Sequence, residues 1–287
     1  MPDGGPLGPA SVILFGLFSA AAWGTSDFAA GLASRRVSVL ALVLAAQTVG
    51  MTVALGLTML RAEPVPAPMD VLWSGLAGVI GTGAIVALYA GLAVGRMGVV
   101  APVAGVIGAL VPVAVGIALE GLPAGIVLVG MAAAVVAVVL VSRVGGEAGA
   151  RSGIELGLLA GLGIGLFNVT ITRVDEGLVF GPLTIVRVAA LVVLALALLA
   201  RRQRVALPAR LAPAIVAIGL LDMAANAGFL LAEQTGSLAV AAVLSSLYPV
   251  ITVILATIVL RERVTRSHAA GIALALLAIV LIATGST

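Results

Sequence analysis

The distribution of arginine constrains the fold of this chain more than any other feature. The 287 residues include fifteen arginines and no lysine. Twelve of the arginines fall in one alternating set of segments between apolar stretches, two fall in the other set, and one, Arg187, lies inside an apolar stretch. Such an imbalance is typical of a polytopic membrane protein, because loops on the cytoplasmic side carry an excess of positive charge.

The composition excludes several other classes of protein. Because 62% of the residues are hydrophobic and only 9% are charged, the chain has too little polar surface to coat a water-soluble globule. We therefore expect an integral membrane protein, in which the net charge of +3 belongs to loops and not to a nucleic-acid site. The absence of cysteine and the single histidine, His268, argue against a metal site, and we expect no cofactor.

Ten apolar stretches are each close to the length of about 20 residues that a helix needs to cross the hydrocarbon core. They cover residues 10–33, 38–60, 71–94, 97–119, 122–142, 153–172, 179–200, 211–233, 236–260 and 267–284. The arginines that follow odd-numbered stretches are Arg35, Arg36, Arg96, Arg143, Arg151, Arg201, Arg202, Arg204, Arg210, Arg261, Arg263 and Arg266, against Arg61 and Arg173 on the other side. This bias predicts a multi-pass protein of a bacterial-type inner membrane with both termini outside.

The two halves of the sequence are similar to each other. GLFSAAAWGTSDF from Gly16 aligns with GLLAGLGIGLFNV from Gly157, which pairs Asp27 with Asn168 at an offset of 141 (168 − 27). Gln47 then corresponds to Arg187 at an offset of 140 (187 − 47). Five spans in each copy force the second copy to enter from the opposite side, so we predict an all-α protein of two inverted five-helix repeats, 1–143 and 153–287, joined by a cytoplasmic linker, 144–152.

Two stretches carry a resemblance to a known family. AAWGTSDFAAGLASRR in span 1 and SSLYPVITVILATIVLRERVT, which runs from span 9 into the following loop, resemble the drug/metabolite transporter superfamily, and within it the EamA-like metabolite exporters. The resemblance implies ten helices in two repeats and export of small metabolites. Amino acids, including aromatic ones, and organic cations are the substrates that it implies.

Charged side chains inside the spans are the first candidates for a substrate site. Each costs on the order of 3 kcal/mol at the bilayer centre, so Asp27, Arg187 and Asp222 need partners or a water-filled cavity. Arg187 with a free aspartate would hold the carboxylate and ammonium groups of an amino acid, and the aspartates alone would suit an organic cation. The alternative is an Arg187–carboxylate pair that only joins helices. Asp27 or Asp222 is also our candidate for a coupling proton.

Polar and aromatic residues within the spans complete the predicted site. Beside Asp27, Arg187 and Asp222, the predicted substrate-binding residues are Trp23, Gln47, Tyr89, Asn168, Asn226, Ser245 and Tyr248. Space filling and interhelical hydrogen bonds are the alternative for these side chains. Pro112 and Pro249, which the repeat pairs at an offset of 137 (249 − 112), are predicted gating positions or, equally, static bends.

A secondary transporter that exports a small metabolite by alternating access is the function that these features favour. The chain contains no GxxxxGK[ST] loop for ATP and neither an HExxH nor a GxSxG motif, so we do not expect an enzyme. A passive channel or facilitator remains the alternative, since inverted repeats also build channels. The expected partners are the bilayer, the substrate and a coupling proton, without nucleic acid, and a monomer would suffice.

Overall fold

A computed structural model describes residues 10–120, 125–142, 153–175, 177–235, 244–261 and 266–285. Within these residues the chain forms ten α helices, one short 3-10 helix and no strand. The predicted linker 144–152 and the first residues of the predicted ninth span lie outside the described residues.

The helices follow the apolar stretches closely. They are α1 Ala10–Ser34, α2 Val39–Leu60, α3 Pro68–Val94, α4 Met97–Glu120, α5 Gly125–Ser142, α6 Ile154–Ile171, α7 Phe180–Ala200, α8 Ala212–Thr235, α9 Tyr248–Val259 and α10 Arg266–Gly285. The start of α3 lies three residues before the predicted start of span 3 at 71, because Pro68 occupies its first turn and Asp70 Oδ2 accepts from Ala67 N at 2.9 Å. Proline and a capping carboxylate both favour a helix start.

Six helices of the described part are long and apolar enough to cross a membrane. They are Ser11–Ser34, Val39–Leu60, Pro68–Val94, Ile154–Ile171, Phe180–Ala200 and Ala209–Thr235. Met97–Pro112, Tyr248–Val259 and Ala269–Ala278 are shorter apolar helices within the same described residues. The predicted all-α membrane architecture is thus confirmed at the level of helices.

Span 9 was predicted over 236–260, with Pro249 as a gating position or a static bend within it. Residues 244 and 245 are helical, 246 and 247 form a turn, and α9 begins at Tyr248 with Pro249 in its first turn. Proline has no N–H to donate and its ring clashes with the carbonyl four residues earlier, so a helix tends to restart there. Pro112, by contrast, lies within the continuous helix α4.

Contacts between helices follow a regular scheme. Six helix contacts form three matched couples. They are α1–α8 with α6–α3, α4–α6 with α9–α1, and α3–α7 with α8–α2. α2 also packs on α7, α4 on α9, and α5 on α10. Adding or subtracting five in each helix number converts the first six pairs into one another and each of the last three into itself.

Two glycines permit equivalent close crossings. A Cβ atom on Gly78 of α3 would lie 2.5 Å from the Val186 carbonyl oxygen of α7, and one on Gly219 of α8 would lie 2.5 Å from the Ala46 carbonyl oxygen of α2. The offsets are 141 (219 − 78) and 140 (186 − 46), as in the sequence repeat. Small residues allow such close approach of helices in lipid, where association depends on packing.

Candidate functional site

A central cavity of about 850 Å³, including its open mouth, lies between the helices. Its lining comes from α1 to α4, from α6 to α8, and from residues 245–248 at the start of α9. None of the described residues of α5 and α10 lines it. Among the predicted site residues, those on its wall are Trp23, Asp27, Gln47, Asn168, Arg187, Asp222, Asn226, Ser245 and Tyr248.

Arg187 is the best-connected charged group in the cavity wall. Its side chain is 3% exposed, and Nη1 lies 2.7 Å from Asp222 Oδ2 on α8. Nη1 also donates a hydrogen bond to Gln47 Oε1 on α2. Asp222 is held in turn by Asn226 Nδ2, which donates to its backbone oxygen at 2.7 Å and to Oδ1 at 3.3 Å. One arginine thus joins α2, α7 and α8.

The other edge of the Arg187 guanidinium is without a partner in the described part of the protein. Both Nε and Nη2 are buried there and make no hydrogen bond. A Cβ atom on Gly50 of α2 would lie 3.3 Å from Nε, so the absence of a side chain at residue 50 makes room for this edge. Because Nε and Nη2 form a planar fork that matches a carboxylate, two donors are available beyond those that Asp222 and Gln47 occupy.

Asp27 on α1 is another ionisable group that lines the cavity, and its environment differs from that of Asp222. It is 3% exposed, and no described residue donates a hydrogen bond to its carboxylate. Asn168 Oδ1, Ser245 Oγ and Tyr248 Oη are likewise buried and unpartnered within the described residues. Buried polar atoms without partners are uncommon in folded proteins, and their clustering on one cavity indicates a polar ligand or water.

Aromatic side chains form one side of the cavity wall. The Trp23 ring lies 6.5 Å from the Tyr248 ring in an edge-on arrangement and 5.9 Å from the ring of Phe229, which is 1% exposed. Trp23 and Asp27 are one helical turn apart on α1 and both line the cavity. Phe167 of α6, outside the predicted set, lines the cavity as well.

Three predicted residues lie elsewhere. Tyr89 does not line the cavity. It follows Leu88, the last lining residue of α3, and successive side chains on a helix are rotated by about 100° about its axis. Tyr89 therefore packs in a buried cluster with Phe28 and Leu42. Pro112 is also outside the cavity wall, and Pro249 lines a separate small apolar pocket between α4, α9 and α10. Any gating by the two prolines would therefore act through helix geometry and not through contact with substrate.

The sequence reasoning missed the small residues of the wall. Gly78, Gly81, Gly105 and Gly108 line the cavity, and so does Thr82, which follows Gly81 on α3. Glycine is so frequent in the spans, with 36 residues in the chain, that only helix packing could single these out.

Comparison with known proteins relates the second half of the chain to a family. Residues 151–284 match the model of the EamA-like transporter family. Twenty-four solved chains are similar in structure, and one of them, a crystal structure of a protein with 18% identity, superposes with a TM-score of 0.66 over 95% of this chain and 97% of its own. No curated protein matches the sequence. The second half of the chain, residues 151–284, is therefore similar to the EamA-like transporter family of the drug/metabolite transporter superfamily, and the chain is a multi-pass membrane protein.

Proposed function

We propose that the protein is a secondary transporter that exports amino acids, including aromatic ones, across the inner membrane by alternating access. The substrate binds in the central cavity, where Arg187 holds its carboxylate and Asp27 its ammonium group. Trp23, Gln47, Asn168, Asp222, Asn226, Ser245 and Tyr248 complete the site.

The helix packing supports two inverted five-helix repeats, 1–143 and 153–287. The exchange of helix pairs under an offset of five, and the matched crossings at Gly78 and Gly219, are what a two-fold axis in the membrane plane would produce. Gln47 and Arg187, which correspond in the sequence repeat, are in direct contact. A cavity on such an axis is where transporters of this kind hold substrate and expose it to each side in turn.

One observation carries the choice of substrate: the cavity combines an arginine whose Nε–Nη2 edge makes no hydrogen bond within the described residues and a buried carboxylate, Asp27, to which no described residue donates one. An α-carboxylate would accept from the first, and an α-ammonium group would donate to the second. The aromatic rings of Trp23 and Tyr248 offer an apolar wall for the substrate side chain.

A different observation favours organic cations as a second candidate. Asp222 already neutralises Arg187 at 2.7 Å, so Asp27 is the charge of the cavity wall without a counter-ion. A cation beside Trp23 would pair with Asp27 and contact the face of an aromatic ring. In that case Arg187 only joins helices.

Proton coupling and orientation complete the proposal. An ionised Asp27 without a partner is costly inside the bilayer, so a proton or a cationic substrate group is expected to occupy it in every state of the cycle. Competition between proton and substrate at one carboxylate would couple the two fluxes.

The excess of arginine in the loops that follow odd-numbered spans supports termini outside the cytoplasm.

Counterflow in proteoliposomes tests the proposal. Liposomes loaded with unlabelled amino acid should accumulate labelled amino acid, and an imposed pH gradient should drive uptake in the same preparation. Arg187→Lys keeps the charge but loses the planar fork, so it should weaken amino-acid counterflow at least tenfold. Counterflow of organic cations but not of amino acids would support the second candidate, and flux without counterflow would identify a passive facilitator.

A further inference from the structure

The loop between α2 and α3 is hydrogen-bonded to the start of α7. Glu63 Oε2 accepts from Phe180 N at 2.9 Å and from Gly181 N at 2.8 Å. These are the first residues of α7, where backbone N–H groups have no acceptor within the helix, and α7 has no side-chain cap of its own. A carboxylate at this position also interacts favourably with the helix dipole. Glu63 therefore caps a helix of the other half of the chain.

A second carboxylate makes a parallel connection. Asp70, in the first turn of α3, is 3% exposed, and its Oδ1 accepts from Asp175 N at 3.0 Å in the loop between α6 and α7. Gln234 Nε2, at the end of α8, donates to Leu178 O of the same loop at 3.0 Å. We call Glu63 and Asp70, with these backbone donors, the carboxylate latch, and the end of the bundle on which they lie the latch end.

Buried apolar side chains lie between the latch and the cavity. Ala77, Ile171, Leu183 and Met223, from four different helices, belong to one cluster that also contains Phe180. The Thr58 and Thr184 hydroxyls, 3.2 Å apart, join α2 to α7 beside it. A solvent path from the latch end to the cavity requires this cluster to separate.

The described loops α1–α2 and α7–α8, at the opposite end of the bundle, contain no equivalent of the latch. At the repeat offset of 140, Glu63 corresponds to Gln203 (63 + 140) and Asp70 to Arg210 (70 + 140). The turns themselves correspond, since Ala62 and Arg202 share a positive φ of 47° and 49°. At that end α2 is capped by its own Ser38, and within the described residues no side-chain hydrogen bond joins the α7–α8 loop to the α1–α2 loop.

From this asymmetry we propose that the carboxylate latch is a gate that holds the cavity closed at one end of the bundle. The inference rests on the proposed transport function, because alternating access requires a path to the cavity from each end in turn. Opening at the latch end must break the bonds of Glu63 and Asp70, since each joins the first five helices to the second five. Among the described residues of the α1–α2 and α7–α8 loops at the other end, opening breaks no such side-chain hydrogen bond.

A cysteine reporter in the cavity tests the proposal, because the native chain has no cysteine. Ser246→Cys places a thiol on the cavity wall. Separate Val65→Cys and Ala206→Cys variants, both at exposed positions, mark the latch end and the opposite end. A small, membrane-impermeant methanethiosulfonate is applied to right-side-out and to inside-out vesicles, and the rate of modification is measured from each side.

Glu63→Ala should raise the rate at the reporter from the latch end about tenfold, as expected for loss of hydrogen bonds to a charged group, and lower it from the opposite end. Glu63→Gln keeps a neutral acceptor and should raise the modification rate from the latch end by a smaller factor, about threefold. This variant tests the proposal if the alanine variant does not fold. Gln203→Ala, at the corresponding position, should change neither rate.

Unchanged rates in both Glu63 variants, or an equal rise in Gln203→Ala, would overturn the gate and leave the proposed function intact. A reporter that is not modified from either end in any variant, while both marker cysteines react, would instead contradict the proposed function, because the cavity would then lie on no path across the membrane. The two failures are therefore distinguishable.

Discussion

Replacing Arg187 with glutamine, alone and together with Asp222→Asn, separates a binding role from a structural one. The Arg187 and Asp222 side chains are 3% and 15% exposed and 2.7 Å apart. Removal of one partner leaves a buried charge uncompensated, which costs about 3 kcal/mol. We expect the melting temperature of purified Arg187→Gln protein in detergent to fall by roughly 6 °C, at about 2 °C for each kcal/mol in a chain of this size.

The double variant, Arg187→Gln with Asp222→Asn, distinguishes the binding role of Arg187 from the structural one. It contains no unpaired charge from this pair, so it should melt at or above the temperature of either single variant. Amino-acid binding, measured by equilibrium binding on the same samples, should be lost in Arg187→Gln and should stay lost in the double variant, because the fork for the carboxylate is absent from both. Normal affinity in a destabilised Arg187→Gln protein would refute the carboxylate site and favour cationic or uncharged substrates.

Three further outcomes are expected. Gly50→Ala places a methyl group 3.3 Å from Arg187 Nε and should weaken binding about fivefold, roughly 1 kcal/mol, whereas Gly56→Ala on the same helix, where nothing lies within 4 Å, should leave affinity unchanged. Asp27→Asn removes the charge that pairs with the substrate ammonium group, so it should weaken exchange and abolish uptake driven by a pH gradient; unchanged proton-driven flux would point to another coupling group. Val65→Cys should react with an impermeant maleimide in intact spheroplasts, and reaction only after permeabilisation would reverse the predicted orientation.

Hydropathy and charge were enough to predict most helices of this fold. In lipid a helix must satisfy its own backbone, so an apolar stretch of about 20 residues leaves few alternatives. The predicted and observed bounds of span 2, 38–60 against Val39–Leu60, agree within one residue for this reason. At span 9 hydropathy predicts only an apolar stretch, and it is Pro249, which lacks an N–H, that indicates the change of helix geometry near Tyr248.

The charged members of the site were also accessible from the sequence, whereas their partners were not. A lone arginine inside a span indicates a buried counter-ion, but only the packing of α7 on α8 selects Asp222 over Asp27 as that counter-ion. Tyr89 was predicted for the site because it is a polar aromatic in a span, yet rotation about the axis of α3 turns it into the core. The rotation of a helix about its axis, and the depth at which each of its side chains lies in the bundle, depend on tertiary contacts that the apolar pattern of the sequence does not contain.

The connections at the helix ends were the least predictable part. Glu63 precedes a proline in a short loop, and Asp70 lies where a charged residue at a span end is ordinarily taken to face water. Their acceptor roles depend on backbone N–H groups more than 100 residues away in the sequence. Backbone donors carry no mark in the amino-acid sequence, so only the assembled structure identifies them.

The contact between Gln47 and Arg187 has a consequence for how such a chain could arise. Under the proposed two-fold relation these residues occupy the same position in the two halves, so in a symmetric homodimer of identical halves each would face its own copy. Two arginines there would repel each other, and two glutamines would supply no positive charge. Gene duplication followed by fusion frees the two positions to diverge. A single cation facing a neutral amide is therefore excluded from a symmetric homodimer and possible in the fused chain, where Arg187 on α7 is the positive charge among the described residues of the cavity wall.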